Sequence, residues 1–239
     1  FHLVGNKLGI RPPARLLLAG ATYAARFTAE DREVVEAVES GPSLFDLVEQ
    51  WLERTPFLES GGFQFRDAFQ EAVRERLEAD RAVVASNPNL TPEEREAQLK
   101  EFALTMEAYE ALFDEAKHVE QQKSGRRRLS HRAFQAALFI NLYRDQPALH
   151  EPYQMLELLL DIEEGFPARR HRHAQLALRL IGRGVGTRGS AGAKYLEKAA
   201  ERSRVFGDLF DLSTFLIPRE SRPPLPIDVV EAMRFRYQG

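Results

Sequence analysis

The chain contains no cysteine. Disulfides, zinc–thiolate centres and iron–sulfur clusters are therefore excluded, and the composition fits a reducing, cytoplasmic setting. No apolar run approaches the ~20 residues needed to cross a bilayer, so no membrane partner is expected. Charge of one sign is also lacking. Lys and Arg number 33 against 36 Asp and Glu, a net −3, so nothing global attracts nucleic acid. No His-Glu-x-x-His, Ser/His/Asp order or Gly-Lys-Ser/Thr occurs. Phe1 opens the chain in mid-pattern, without an initiator Met or the charged start and apolar core of a signal peptide. A segment ahead of Phe1 is expected.

What is present reads as helix. The 239 residues are 44% hydrophobic and 29% charged, ordinary for a globular protein. We read 1–239 as a single all-α domain of roughly seven to ten helices, with no convincing strand pair. Pro12-Pro13 breaks whatever helix begins near Leu3, and Arg15 to Tyr23 is a short helix or a loop. Thr28 with Asp31 starts a helix that runs to about Glu39. Gly41-Pro42 breaks it, and Ser43 caps Leu44 to Arg54, with Leu44, Leu47, Val48, Trp51 and Leu52 as its apolar stripe. Gly61-Gly62-Phe63 is a turn. Residues 66–121 read as a helical hairpin broken at Asn87-Pro88-Asn89. Its second helix starts at Thr91-Pro92-Glu93-Glu94 and continues to about Gln121.

Arg126-Arg127-Arg128 falls in the next loop, where a solvated run or an anion contact is expected. Ser130 caps His131 to Arg144, which is nearly apolar around Ala133–Leu142 and so central. Pro152 to Glu164 forms a further helix, with Met155, Leu156, Leu158, Leu159, Leu160 and Ile162 as one dense cluster. A separate helix from His171 to Arg183 follows, then a Gly-rich loop and a helix from Ala193 to about Arg202. Val205 to Leu216 is helix or extended, and a last helix spans Ile227 to Phe235.

The chemistry centres on Phe166 to Gly192. His173 is followed by Leu176, Ala177, Leu180 and Ile181 at +3, +4, +7 and +8, so all five share a helix face. Gly184, Gly186 and Gly189 spell the dinucleotide fingerprint, but the preceding segment is helical and no strand carries the turn, so that reading is rejected. Six histidines are present: His2, His118, His131, His150, His171 and His173. His171 and His173 are two apart and point in different directions. On spacing alone, a core histidine is more often a packing residue than a ligand. One histidine is too little for zinc. It is the usual protein ligand of haem, where the porphyrin supplies four nitrogens.

Several ordered stretches resemble the tryptophan 2,3-dioxygenase family. They are Asn6-Lys7-Leu8-Gly9, Leu47 through Pro56, Arg127-Arg128-Leu129-Ser130 through Phe139, and Tyr143-Arg144-Asp145-Gln146-Pro147. Arg172-His173, Ile181-Gly182, Gly186-Thr187 and Gly189-Ser190 follow, then Asp208 through Arg219. The resemblance implies a haem b enzyme that adds O2 across the indole C2–C3 bond of L-tryptophan to give N-formylkynurenine. It implies His173 as proximal iron ligand and Thr187 as a contact to the substrate's amino-acid group. It also implies a homotetramer in which N-terminal helices help close a neighbour's pocket. The family's distal His and carboxylate-binding Arg belong ahead of Phe1, so the catalytic residues of this chain remain unknown.

The chain departs from the family pattern at His2, Arg169, Arg188 and Ala191. Arg169 stands where the family has Trp, and Arg188 where it has Gly. Arg188 brings a cation into the substrate loop, either to pair with a carboxylate or haem propionate or to face solvent. A haem monooxygenase or peroxygenase acting on another aromatic amino acid is the alternative. A helical interaction protein without haem is the third reading.

Overall fold

The computed structural model describes residues 5, 7–10, 28–181 and 204–234. At 111, 166–167, 169–171, 173–174, 177–178 and 180–181 it describes the backbone only. Among the described residues the all-α reading holds, with one short strand pair as the exception. The chain falls into two compact units: residues 1–50 with 157–210, and residues 51–156 with 211–239. The expected elements at Arg15–Tyr23 and Ala193–Arg202 lie outside the described residues.

In the first unit, Gly9 and Ile10 both donate their N–H to the Gly5 carbonyl, at 3.1 and 2.9 Å. This is the closure that ends a helix on a left-handed residue. Gly9 has φ +99°, and a Cβ there would lie 2.6 Å from the Phe45 Cβ. Lys7 Nζ donates to the Gly41 and Pro42 carbonyls at 2.9 and 3.3 Å, at the end of α1 (Ala29–Ser40), where a cation suits the helix dipole. Thr28 caps α1 as expected, accepting from the Asp31 N–H.

Ser43 caps α2 (Leu44–Glu53) through a reciprocal pair. The Asp46 N–H donates to Ser43 Oγ at 3.2 Å, and the Ser43 N–H donates to the Asp46 carboxylate at 2.8 Å. Of the expected stripe Val48 and Leu52 are buried, Leu44 and Trp51 are half-buried and Leu47 is 50% exposed, while Phe45 joins the buried face. Both sets have helical spacing. Phe45 prevails because its ring packs 6.2 Å from that of Phe206, an aromatic contact that sequence spacing does not reveal.

The second unit opens with β1 (Glu59–Ser60) and β2 (Phe63–Gln64), paired antiparallel across Gly61-Gly62. Both glycines have positive φ, +58° and +86°, as the tightest hairpin turn demands. The expected turn is present, and it joins a strand pair that was not expected. α3 (Phe65–Ser86) packs on α4 (Pro92–Phe113), which starts with the expected Thr91 cap closed reciprocally by Glu94. The run to Gln121 is two helices. Asp114 ends α4, and its carboxylate accepts from the N–H groups of Ala116 and Lys117 at 2.8 and 3.2 Å, starting α5 (Glu115–Lys123). A short acidic side chain offers the backbone a local partner and so breaks a periodic pattern.

α6 (His131–Leu142) is central as expected, with Ala133, Phe134 and Ala136 through Ile140 buried. Around it sits an aromatic cluster. Phe65 meets Phe139 at 5.0 Å, Phe134 meets Phe215 at 5.7 Å, and Tyr109 meets Phe215 at 5.4 Å, all edge to face.

α7 (Pro147–Ile181) is one helix of 35 residues where two were expected. Pro167 removes only the N–H that would reach the Glu163 carbonyl, so it costs the helix a bond rather than an end. The expected apolar cluster divides into two faces: Leu156 and Leu159 are buried, while Met155, Leu158 and Ile162 are exposed. Val205 to Leu216 becomes α8 (Gly207–Asp211) and a 3-10 turn at Leu212–Phe215. A second 3-10 turn at Arg219–Ser221 precedes α9 (Ile227–Ala232), which is shorter than expected.

Candidate functional site

Position 173 lies in α7, ten residues after Glu163. Its side chain, with those of Arg169 and His171, falls outside the description, as do Thr187, Arg188 and Ala191 entirely. The described surroundings still constrain what α7 can do. Leu176, one turn beyond position 173, is 51% exposed. The chain thus offers a histidine position with an uncovered apolar side chain beside it. A porphyrin face requires apolar surface, and its iron requires one imidazole from the protein. Among the described residues, no three His, Asp or Glu side chains gather as a metal cage. No helix among them is long and apolar enough to cross a membrane.

His118 and His131 are packing residues. His118 is buried, with Nε2 2.8 Å from the Leu129 carbonyl, and His131 Nε2 lies 2.7 Å from the Leu112 carbonyl. Their rings stand 5.1 Å apart. Each Nε2 meets an acceptor and so carries the proton.

The stretches singled out in the sequence meet in pairs. The Ser130 hydroxyl donates to the Glu53 carboxylate at 2.6 Å, and Arg132 Nε donates to the Glu53 carbonyl at 2.8 Å. This ties the end of α2 to the start of α6. Of the two outcomes expected for this run, solvation or an anion contact, Arg127 takes the anion contact. Its side chain is 13% exposed, paired with Asp211 at 2.8 Å and lying 4.5 Å over the Phe134 ring. Burying a cation this far needs both the carboxylate and the ring faces.

Asp145 accepts from Arg222 at 3.0 Å and from Arg219 at 2.7 Å. The Arg222 hydrogen bond, then the charges of both arginines, hold its carboxyl below the usual range against partial burial. Arg222 also donates to the Leu142 carbonyl at the end of α6. Tyr143 donates to the Pro223 carbonyl at 2.7 Å, and burial pushes its phenol well above the usual range.

Sequence reasoning missed one feature near the helix of interest. Glu163 is 5% exposed, and its carboxylate accepts from the N–H groups of Val205 and Phe206. The available signal was its place seven and four residues after the buried Leu156 and Leu159, where the stripe calls for an apolar side chain.

Comparison with known proteins matches this chain to one family. The family model described as tryptophan 2,3-dioxygenase matches residues 1–216. The chain is 40% identical over 237 residues to a tryptophan 2,3-dioxygenase of Bdellovibrio bacteriovorus, covering 99% of this chain and 66% of that protein. It is 39% identical over 238 residues to the one of Dictyostelium discoideum, covering 99% and 60%. With the one of Alteromonas mediterranea it shares 36% identity over 238 residues, covering 100% and 66%. The chain thus spans just under two thirds of the length of the curated relatives it matches.

Proposed function

The chain belongs to the tryptophan 2,3-dioxygenase family, and from that premise we propose that the protein inserts both atoms of O2 into the indole C2–C3 bond of L-tryptophan. The product is N-formylkynurenine, and the reaction opens tryptophan catabolism. Both oxygen atoms enter the product as the C2–C3 bond breaks, so no outside reductant is consumed in the step. The observation that carries the reading is the match across nearly the whole chain, at 36–40% identity. The meeting of two of the motifs supports it, since Ser130 and Arg132 both bond to Glu53.

In this reading 1–239 acts as one haem-dioxygenase-like domain with haem b as cofactor. Haem, when bound, supplies the ferrous iron that activates O2. His173 holds that iron through one imidazole nitrogen. Thr187 contacts the amino-acid group of the substrate, and Arg188 lies beside it. The uncovered apolar side chain at Leu176 supports a porphyrin packing on α7. The exposed Met155, Leu158 and Ile162 support assembly, which the family reading makes a homotetramer. A cytoplasmic setting is part of the same proposal.

The test uses intact, haem-loaded ferrous protein with L-tryptophan and labelled O2, and the product is weighed. Two labelled oxygens in N-formylkynurenine are expected. One labelled oxygen, or no turnover beside a normal haem spectrum, would overturn the dioxygenase assignment and place the chemistry with the monooxygenases. His173→Ala removes the Soret band if this residue holds the iron. An unchanged band would move the ligand elsewhere.

A further inference from the structure

We propose that the recess between the end of α6 and residues 216–222 binds a small carboxylate with an apolar tail. The recess has a volume of about 190 Å3 and lies wholly within the second unit. Three guanidinium groups line it, those of Arg144, Arg219 and Arg222, against the single carboxylate of Asp145. Arg222 Nη1 lies 3.0 Å from Asp145 Oδ1, and Arg219 Nη2 lies 2.7 Å from Oδ2. One carboxylate thus holds two of the cations side by side. The third, Arg144, pairs with no carboxylate among the described residues, and its guanidinium stands 5.1 Å over the Tyr153 ring.

The charges do not cancel. Three guanidiniums and one carboxylate leave two positive charges. Asp145 stays ionised at neutral pH, because the Arg222 hydrogen bond and the charges of both arginines hold its carboxyl below the usual range. The end of α6, whose Leu142 carbonyl accepts from Arg222, adds roughly half a negative charge. Positive charge therefore remains in excess around a concave surface, which concentrates its field and draws an anion in. Donors remain as well. A guanidinium carries five N–H groups. Arg219 directs one nitrogen at Asp145, and the Arg144 guanidinium makes no hydrogen bond among the described residues. The Asn141 side-chain amide lines the same recess, also without a protein partner among them.

The other wall selects the body of the ligand. Leu142, Leu216 and Ile217 form it, and Leu216 is 38% exposed. An inorganic oxyanion such as phosphate leaves this wall facing water. A carboxylate with a short branched tail sets its charge against the arginines and its methyl groups against the aliphatic side chains, so apolar surface leaves water on both sides. Its planar head also matches the paired N–H groups of a guanidinium. Size sets the upper bound. At about 190 Å3 the recess is smaller than the roughly 300 Å3 at which sites for drug-sized ligands begin, so an aliphatic acid of a few carbons is the fitting class.

The test titrates intact, haem-loaded protein by calorimetry with isovalerate, and separately with its uncharged amide and with inorganic phosphate, while the Soret band is followed. Isovalerate is expected to bind saturably, with the amide and phosphate each about tenfold weaker or more and the haem spectrum unchanged. Arg144→Gln is expected to weaken isovalerate about tenfold, the loss of roughly one charge-assisted hydrogen bond. Its melting temperature without ligand is expected to stay the same, because Arg144 has no ion pair to lose. No saturable isovalerate binding would overturn the proposal. So would an amide or phosphate that binds as tightly, an affinity unchanged by Arg144→Gln, or a Soret shift that tracks the heat. Should Arg144→Gln fail to fold, the comparison of acid and amide in the unaltered protein decides the matter. Neither His173 nor Thr187 enters the proposal, so a protein that leaves tryptophan untouched is still judged by the titration.

Discussion

Arg222 closes the end of α6, pairs with Asp145 and stands 5.4 Å over the Tyr143 ring. Each contact uses a different part of the same planar group, which a lysine ammonium does not offer. The titration of Asp145 makes this measurable. Its carboxyl is held below the unfolded value, so its contribution to stability is full above about pH 4. The contribution is lost as pH falls through the lowered folded value. Asp145→Asn is expected to cost about 1 kcal/mol at neutral pH and to flatten the acid limb of a stability–pH curve from urea titrations. An unaltered limb would mean that the arginines hold the region without it. Arg127, Arg222 and Asp145 show what escapes a one-dimensional reading. A charge stays undecided between solvent and a partner until that partner, 84 residues away for Arg127, is brought beside it.

At the scale of elements, local chemistry was legible and facing was not. The Thr91 cap closes reciprocally with Glu94 because all of its donors and acceptors lie within four residues. Thr91→Ala is expected to cost about 1 kcal/mol by denaturant unfolding, with activity unchanged. Gly9 carries a larger constraint, since its left-handed backbone and the Phe45 Cβ both exclude a side chain. Gly9→Ala is expected to cost about 2 kcal/mol or more, read as a lowered melting temperature. A neutral result would show that the Gly5–Ile10 turn relaxes away from α2. Which face of α2 is buried depended on Phe206, and which face of α7 is buried depended on Leu156 and Leu159. Both helices have two apolar faces in the sequence, and periodicity alone does not choose between them. The continuity of α7 was hidden for a related reason, because Pro167 reads as a stop unless the helix is held on both sides of it.

For the whole molecule, the exposed Met155, Leu158 and Ile162 on one face of α7 are more apolar surface than a lone helix leaves to water without use. Light scattering of the intact protein is expected to give a tetramer. Leu158→Glu, at a side chain 60% exposed, is expected to shift it toward smaller species with the helical circular dichroism retained. A tetramer that survives the charge would place the interface elsewhere.

The sequence by itself determined the all-α class, the caps that start α1, α2, α4 and α6, the central place of α6 and, through ordered motifs, the family. Those properties are local or cumulative along the chain: a cap needs four residues, a helix needs its spacing, and a family match sums many positions. Only the tertiary structure decided that Phe45 rather than Leu47 faces inward, that Arg127 is buried, and that Glu163 reaches across to Val205 and Phe206. Each of those outcomes depends on a partner tens of residues away. Burial and hydrogen-bond partners are properties of the folded surroundings, which no single stretch of chain carries.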